Sequence, residues 1–84
     1  MPTVATVAGC AIRFYFDDHE PAHFHVAAPG GVEALVRISD LSVMAGELPQ
    51  AVRRAVLGWA AARQSALALA WLRCREGVNP GRIE

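Results

Sequence analysis

The apolar pattern of this chain changes period once, at Pro49, and that switch constrains the fold more than any other feature of its 84 residues. Before Pro49, apolar and polar residues alternate in short runs; after it, apolar residues recur every three to four positions. A period of two followed by a period of 3.6 predicts an α+β chain: a sheet first, then a helix laid across one face.

The helical half is the clearer of the two. Pro49 suits the first helical position, where its missing N–H costs nothing. Gly77 suits the left-handed cap just past the end, and Pro80 stops continuation. Between them Val52, Val56, Trp59, Ala66, Leu67, Ala70 and Cys74 fall on one stripe, opposite Gln50, Arg53, Arg54, Gln64, Ser65, Arg75 and Glu76. The spacing predicts one long helix over residues 49–76 with a short tail, 77–84. About 28 residues rising 1.5 Å each span roughly 42 Å. A compact domain of this length has a radius of gyration near 12 Å and a diameter of roughly 30 Å. The helix therefore overhangs its own sheet unless it kinks at Gly58. Its stretch from Ala66 to Leu72 is apolar almost all the way round, so it wants covering on more than one side. The expectation is a homodimer or a docking surface for another chain, with Trp59, Leu67, Leu69, Trp71 and Leu72 at the interface. Arg63 lies inside the apolar stripe. It either snorkels past the sheet, pairs with Asp40 or Glu47, or contacts a dimer seam.

The strand half reads as a three- or four-stranded antiparallel sheet over residues 3–39, joined to the helix by a loop at 40–48. Strands are expected at Thr3–Val7, residues 11–17, 23–28 and 32–38, with Ala8-Gly9 and Pro29-Gly30-Gly31 as turns. Alternation assigns Ile12, Phe14, Phe16, Phe24, Val26, Val32, Val36 and Ile38 to the face under the helix. Arg13, Tyr15, Asp17, His23, His25, Glu33 and Arg37 then share the open face.

Composition narrows the functional classes. Eight arginines balance eight acids and there is no lysine, so a strong sequence-independent hold on nucleic acid is not indicated. No apolar run approaches the roughly 18–20 residues of a membrane span, and the first residues do not resemble a signal peptide, so a single cytoplasmic domain is expected over 1–84. Cys10 and Cys74 form no C-x-x-C pair and read as small buried apolar residues.

The chemistry concentrates at His19, His23 and His25. His19-Glu20-Pro21-Ala22-His23 matches the H-E-x-x-H string of zinc peptidases, but Pro21 inside it denies the helix on which that motif depends. A metal reading survives in another form. His23 and His25 share one strand face, and His19, Asp17 or Asp18 can join them from the preceding loop to hold a divalent ion such as zinc. The metal-free alternative uses His23, His25 and Tyr15 in acid–base work, with Arg13 or Arg37 stabilising a phosphate.

Ile12-Arg13-Phe14-Tyr15-Phe16, Asp18-His19-Glu20-Pro21-Ala22-His23-Phe24-His25-Val26, Gly46-Glu47-Leu48-Pro49 and the pair Trp59 and Trp71 resemble the domain of unknown function 4160 family of small bacterial and phage proteins. The D-H-x-P-x-H-x-H-V run is the specific part of the resemblance. It implies functional weight on Asp18, His19, Pro21, His23 and His25, and a genetic setting like that of a toxin–antitoxin pair, hence a small cognate protein partner. The resemblance also implies two departures: a helix that is Ala- and Arg-rich rather than rich in Glu and Lys, and Arg63 at a position where His is expected in many relatives. Together these readings predict an interaction component of such a module. An RNA-directed toxin or metal-assisted hydrolase, and a metal-binding domain without catalysis, are the alternatives.

Overall fold

A computed structural model describes all 84 residues. Five strands form one antiparallel meander in the order β1-β2-β3-β4-β5: β1 Thr3–Val7, β2 Cys10–Arg13, β3 His23–Ala27, β4 Glu33–Arg37 and β5 Val43–Ala45. Two helices follow, α1 Gln50–Ala61 and α2 Gln64–Arg75. The architecture is the expected α+β, with differences of detail in both layers.

The fifth strand lies in the segment expected to be loop. Val43–Ala45 is three residues long, too short to show alternation, and is a strand because β4 offers it an edge: Leu35 pairs with Ala45 and Val36 with Val43. Gly46 ends it at a φ of +76°, and a Cβ there would run into the backbone carbonyl of Glu33. β2 also stops four residues earlier than alternation suggested, at Arg13. Residues 14–22 leave the sheet as a loop that folds back over the outer face of β3. Phe16 is consequently exposed rather than in the core, and so is Val32, at the end of the β3–β4 turn.

The long helix is two helices of 12 residues, broken at Ala62 and Arg63. Arg63 has a φ of −134°, outside the helical region. Neither Gly nor Pro marks the break, and the alanines around it are the best helix formers available, so tertiary contacts override local preference. The body measures 33 × 25 × 23 Å, with a radius of gyration of 11.5 Å. A straight helix of residues 49–76 would protrude from it. Breaking lets both halves lie against the sheet. The side chain of Gln64 anchors the start of α2 to the backbone of the turn just after β4, its Nε2–H donating to the carbonyls of Ile38 (2.8 Å) and Ser39 (3.2 Å). Arg63 does not pair with Asp40 or Glu47. Its guanidinium donates to the backbone oxygens of Trp59 (3.0 Å) and Glu84 (3.1 Å), and lies 5.2 Å from the centre of the Trp59 ring. No helix is long and apolar enough to cross a membrane.

One core joins the layers. Val4, Ile12, Phe14, Phe24, Val26 and Val36 from the sheet side meet Val56, Ala60, Leu67, Ala70, Trp71 and Cys74 from the helices. Leu67 and Trp71, expected at an intermolecular interface, are thus core residues of the chain itself, and Trp59 packs edge-on against Phe24. Of that expected interface, Leu69 and Leu72 remain exposed, at 47% and 58%. Cys10 and Cys74 are both free and buried.

Candidate metal centre

Strand alternation turns His23 and His25 onto the other face of β3 from the core side chains of Phe24 and Val26. That face is not open at β3. Residues 14–22 cross it, and the two imidazoles are left only 6% and 9% exposed. Tyr15 brings its ring edge-on to His25, with centroids 4.3 Å apart. Asp18 reaches in from the same loop, and Trp71 of α2 closes on His23 at 5.2 Å between centroids.

Buried polar groups must find partners, and here each one does. The carbonyl of Pro21 can only accept, so His23 donates its Nδ1–H to it, at 2.8 Å. His25 donates its Nδ1–H to Oε1 of Glu33, also at 2.8 Å. Both rings are thereby fixed with Nε2 facing inward. Oδ2 of Asp18 lies 2.9 Å from Nε2 of His25 and 3.6 Å from Nε2 of His23. One ligating atom from each of Asp18, His23 and His25 lies within 4.8 Å of the others.

With Nδ1 of His25 already donating to Glu33, its Nε2 meets a second carboxylate. Nε2 of His25 and Oδ2 of Asp18 face each other at 2.9 Å, a pair of donor atoms that a cation between them would join. Neither Asp18 nor Glu33 has an arginine within salt-bridge distance, since Arg37 pairs with Asp40 and Arg75 with Glu20. Two carboxylates therefore converge on His25 with no arginine to offset them, and the Asp18 side of the cluster is sheltered from water.

The donor set also has the surroundings of a metal site. Metal-binding histidines characteristically donate their second ring N–H to a backbone carbonyl or carboxylate, which fixes tautomer and orientation. Pro21 and Glu33 serve His23 and His25 in those two ways. Two imidazoles and one carboxylate suit zinc and similar first-row divalent ions, and three protein ligands leave a position for an exchangeable group.

Of the residues expected to carry chemistry, Asp18, His23, His25 and Tyr15 come together. His19 is exposed on the loop and is not among the converging ligand atoms, so it drops out of the expected metal set. Arg13 and Arg37 flank the pair in register: Arg13 sits opposite His25 on β2, and Arg37 opposite His23 on β4. Arg37, however, spends its charge on Asp40 at 3.2 Å. Glu33 is the partner that sequence reasoning did not single out. Alternation put it on the correct face, but its diagonal position beside His25 depends on hairpin register, with His25 opposite Leu35 and Ala27 opposite Glu33.

A family model described as "Domain of unknown function (DUF4160)" matches residues 9–72. No curated protein and no solved structure matches the chain. The protein belongs to that family.

Proposed function

We propose that this member of the family is a metal-binding domain whose centre is Asp18, His23 and His25, taking one divalent ion of the zinc class per chain. The supporting observation is the orientation of the two rings. Each imidazole has its outer nitrogen committed to an acceptor and its inner nitrogen turned toward the same carboxylate oxygen. Tyr15 and Trp71 wall the rings, and Glu33 holds His25 as a positioning residue. A metal-assisted hydrolase would rest on the same three ligands, with Arg13 as the nearby cation.

The test is metal analysis and native mass spectrometry of untagged protein purified without chelator and then titrated with zinc. One ion per chain is expected, lost in His23→Ala and in His25→Ala and weakened by at least tenfold in Asp18→Asn. Circular dichroism and thermal melting would separate loss of ligand from loss of fold. Wild-type protein that retains no zinc, cobalt or iron at micromolar concentration would overturn the proposal.

A second reading has its own observation. Leu69 and Leu72 stand exposed on α2, which supports a protein contact there: a homodimer, or the small cognate partner of a toxin–antitoxin-like module. The same mass spectrum reads chain number and any retained partner. A bare monomer at micromolar concentration counts against this reading and leaves the metal reading untouched.

A further inference from the structure

On the outer face of the sheet, one row of cross-strand neighbours is built from small side chains. Thr6 on β1 pairs with Ala11 on β2, Ala11 with Ala27 on β3, and Ala27 with Glu33 on β4. Three small residues in succession leave a trough, and the Pro29–Gly31 turn closes one end of it. The result is an open hollow of about 470 Å³, within the usual size range of small-molecule sites, with Arg13 and Glu33 on its walls.

Arg13 is the anomaly. The other half-buried guanidiniums are satisfied: Arg37 by Asp40, and Arg63 by two backbone oxygens. The remaining arginines without partners, Arg53, Arg54, Arg73 and Arg82, are exposed on the helices and tail, where water serves them. Arg13 is half-buried on a central strand and has neither a salt bridge nor a side-chain hydrogen bond. No buried side-chain nitrogen lacks a partner, so the Arg13 donors face the water of the hollow rather than any protein acceptor, and they are free to take a ligand's oxygens instead. The planar fork of the guanidinium matches the paired oxygens of a carboxylate or phosphate.

We infer that the hollow is an oxyanion site, in which Arg13 takes the phosphate or carboxylate of a small ligand. Glu33 shapes the choice. Its Oε1 is committed to His25, which leaves Oε2 free to accept. A fully ionised anion would be repelled there, whereas one that also carries a hydroxyl, an ammonium or its own acidic proton donates to it. The ligand class is therefore a small phosphate ester or organic acid bearing a donor group. Because the trough lies on the Nδ1 side of His25 and the proposed metal on the Nε2 side, this inference does not require the metal to be present.

The probe is inorganic phosphate at pH 6.5, where the monoanion carries its own donor protons, titrated into ¹⁵N-labelled protein with and without zinc. Acetate and glycolate are run in parallel to separate phosphate from carboxylate and to test the need for a donor. Shifts are expected at the amides of Thr6, Ala11, Ala27 and Gly31 and at the Nε–H of Arg13, with glycolate preferred over acetate. Arg13→Gln should weaken binding at least tenfold, while Arg53→Gln on α1 leaves it unchanged. Retained zinc stoichiometry in Arg13→Gln would show that the metal centre is intact. Unchanged phosphate and glycolate affinity in Arg13→Gln, or shifts confined to the helices, would overturn the inference. Absence of zinc binding with Arg13-dependent phosphate binding would overturn the metal reading alone.

Discussion

Replacing Arg63 by alanine should destabilise the protein by about 2–3 kcal/mol, a large effect for a residue at a surface break between helices. The magnitude follows from three contacts. A carbonyl in the last turn of an α-helix has no partner within the helix, and Trp59 carries one of these at the end of α1. The guanidinium donates to it at 3.0 Å in a partly buried setting, and a charge-assisted hydrogen bond of that kind contributes about 1.5 kcal/mol. The second bond, to the backbone oxygen of Glu84 at 3.1 Å, is exposed and contributes about 0.5 kcal/mol. Stacking over the Trp59 ring at 5.2 Å adds about 0.5–1 kcal/mol. For a domain of this size each kcal/mol shifts the melting temperature by roughly 4–8 °C, so a fall of about 10–20 °C is expected. Chemical denaturation read by Trp fluorescence and circular dichroism measures it, with an unchanged m-value as the check that the unfolded state is not responsible. Arg63→Lys is the discriminating control: an ammonium can donate to one oxygen but cannot span both and stack, so it should recover about a third of the loss. Destabilisation below about 0.5 kcal/mol, or full rescue by lysine, would refute the reasoning and return Arg63 to an ordinary snorkelling side chain.

Other outcomes follow from single contacts. Gly46→Ala places a Cβ against the Glu33 carbonyl in a left-handed conformation; a loss of about 2–4 kcal/mol is expected in urea melts, together with weaker zinc binding because Glu33 must move. Glu33→Gln keeps a hydrogen-bond acceptor for His25 but removes the charge; since the Glu33 side chain is 42% exposed, the zinc affinity should fall about tenfold, the lower end of such second-layer effects, as measured by competition with a chelator dye. Burial pushes the Cys74 thiol above its ordinary range, so labelling by thiol reagents at neutral pH should be slow and track unfolding. The sign is fixed by the proton count: the folded chain holds the Cys74 proton to higher pH than the unfolded one, so stability falls as pH rises past the ordinary thiol range. A Cys74→Ala variant should lack that part of the alkaline decline.

The legible parts of the molecule were those governed by local period. Alternation placed Ile12, Phe24, Val26 and Val36 in the core and His23 with His25 on the opposite face, and the residues of the centre's loop were visible as a cluster. What alternation could not show was the covering of that face. The return of residues 14–22 across β3 is a tertiary event, and it converts two surface histidines into buried ones. Helical period likewise runs through Ala62 and Arg63 without a mark, because the stripe on either side stays nearly in phase; only the mismatch between helix length and body size hinted at a break. Glu33 and β5 depended on hairpin register and on an available edge, neither of which a single strand's sequence encodes.

The polar centre is also compact along the chain. Asp18, His23, His25 and Glu33 lie within residues 18–33, a loop and one hairpin, and no side chain from the helices is among its hydrogen-bonding members. Bringing His25 and Glu33 together closes only a short segment, and the entropy of closure grows slowly with its length. In kinetic terms the His25–Glu33 half of the centre forms as soon as β3 and β4 zip, an event of roughly 1–10 μs for a hairpin, and Asp18 joins when residues 14–22 fold back across β3. An ion captured at that stage would act as a folding nucleus, tying the loop to the hairpin while the rest of the chain is still searching for its place.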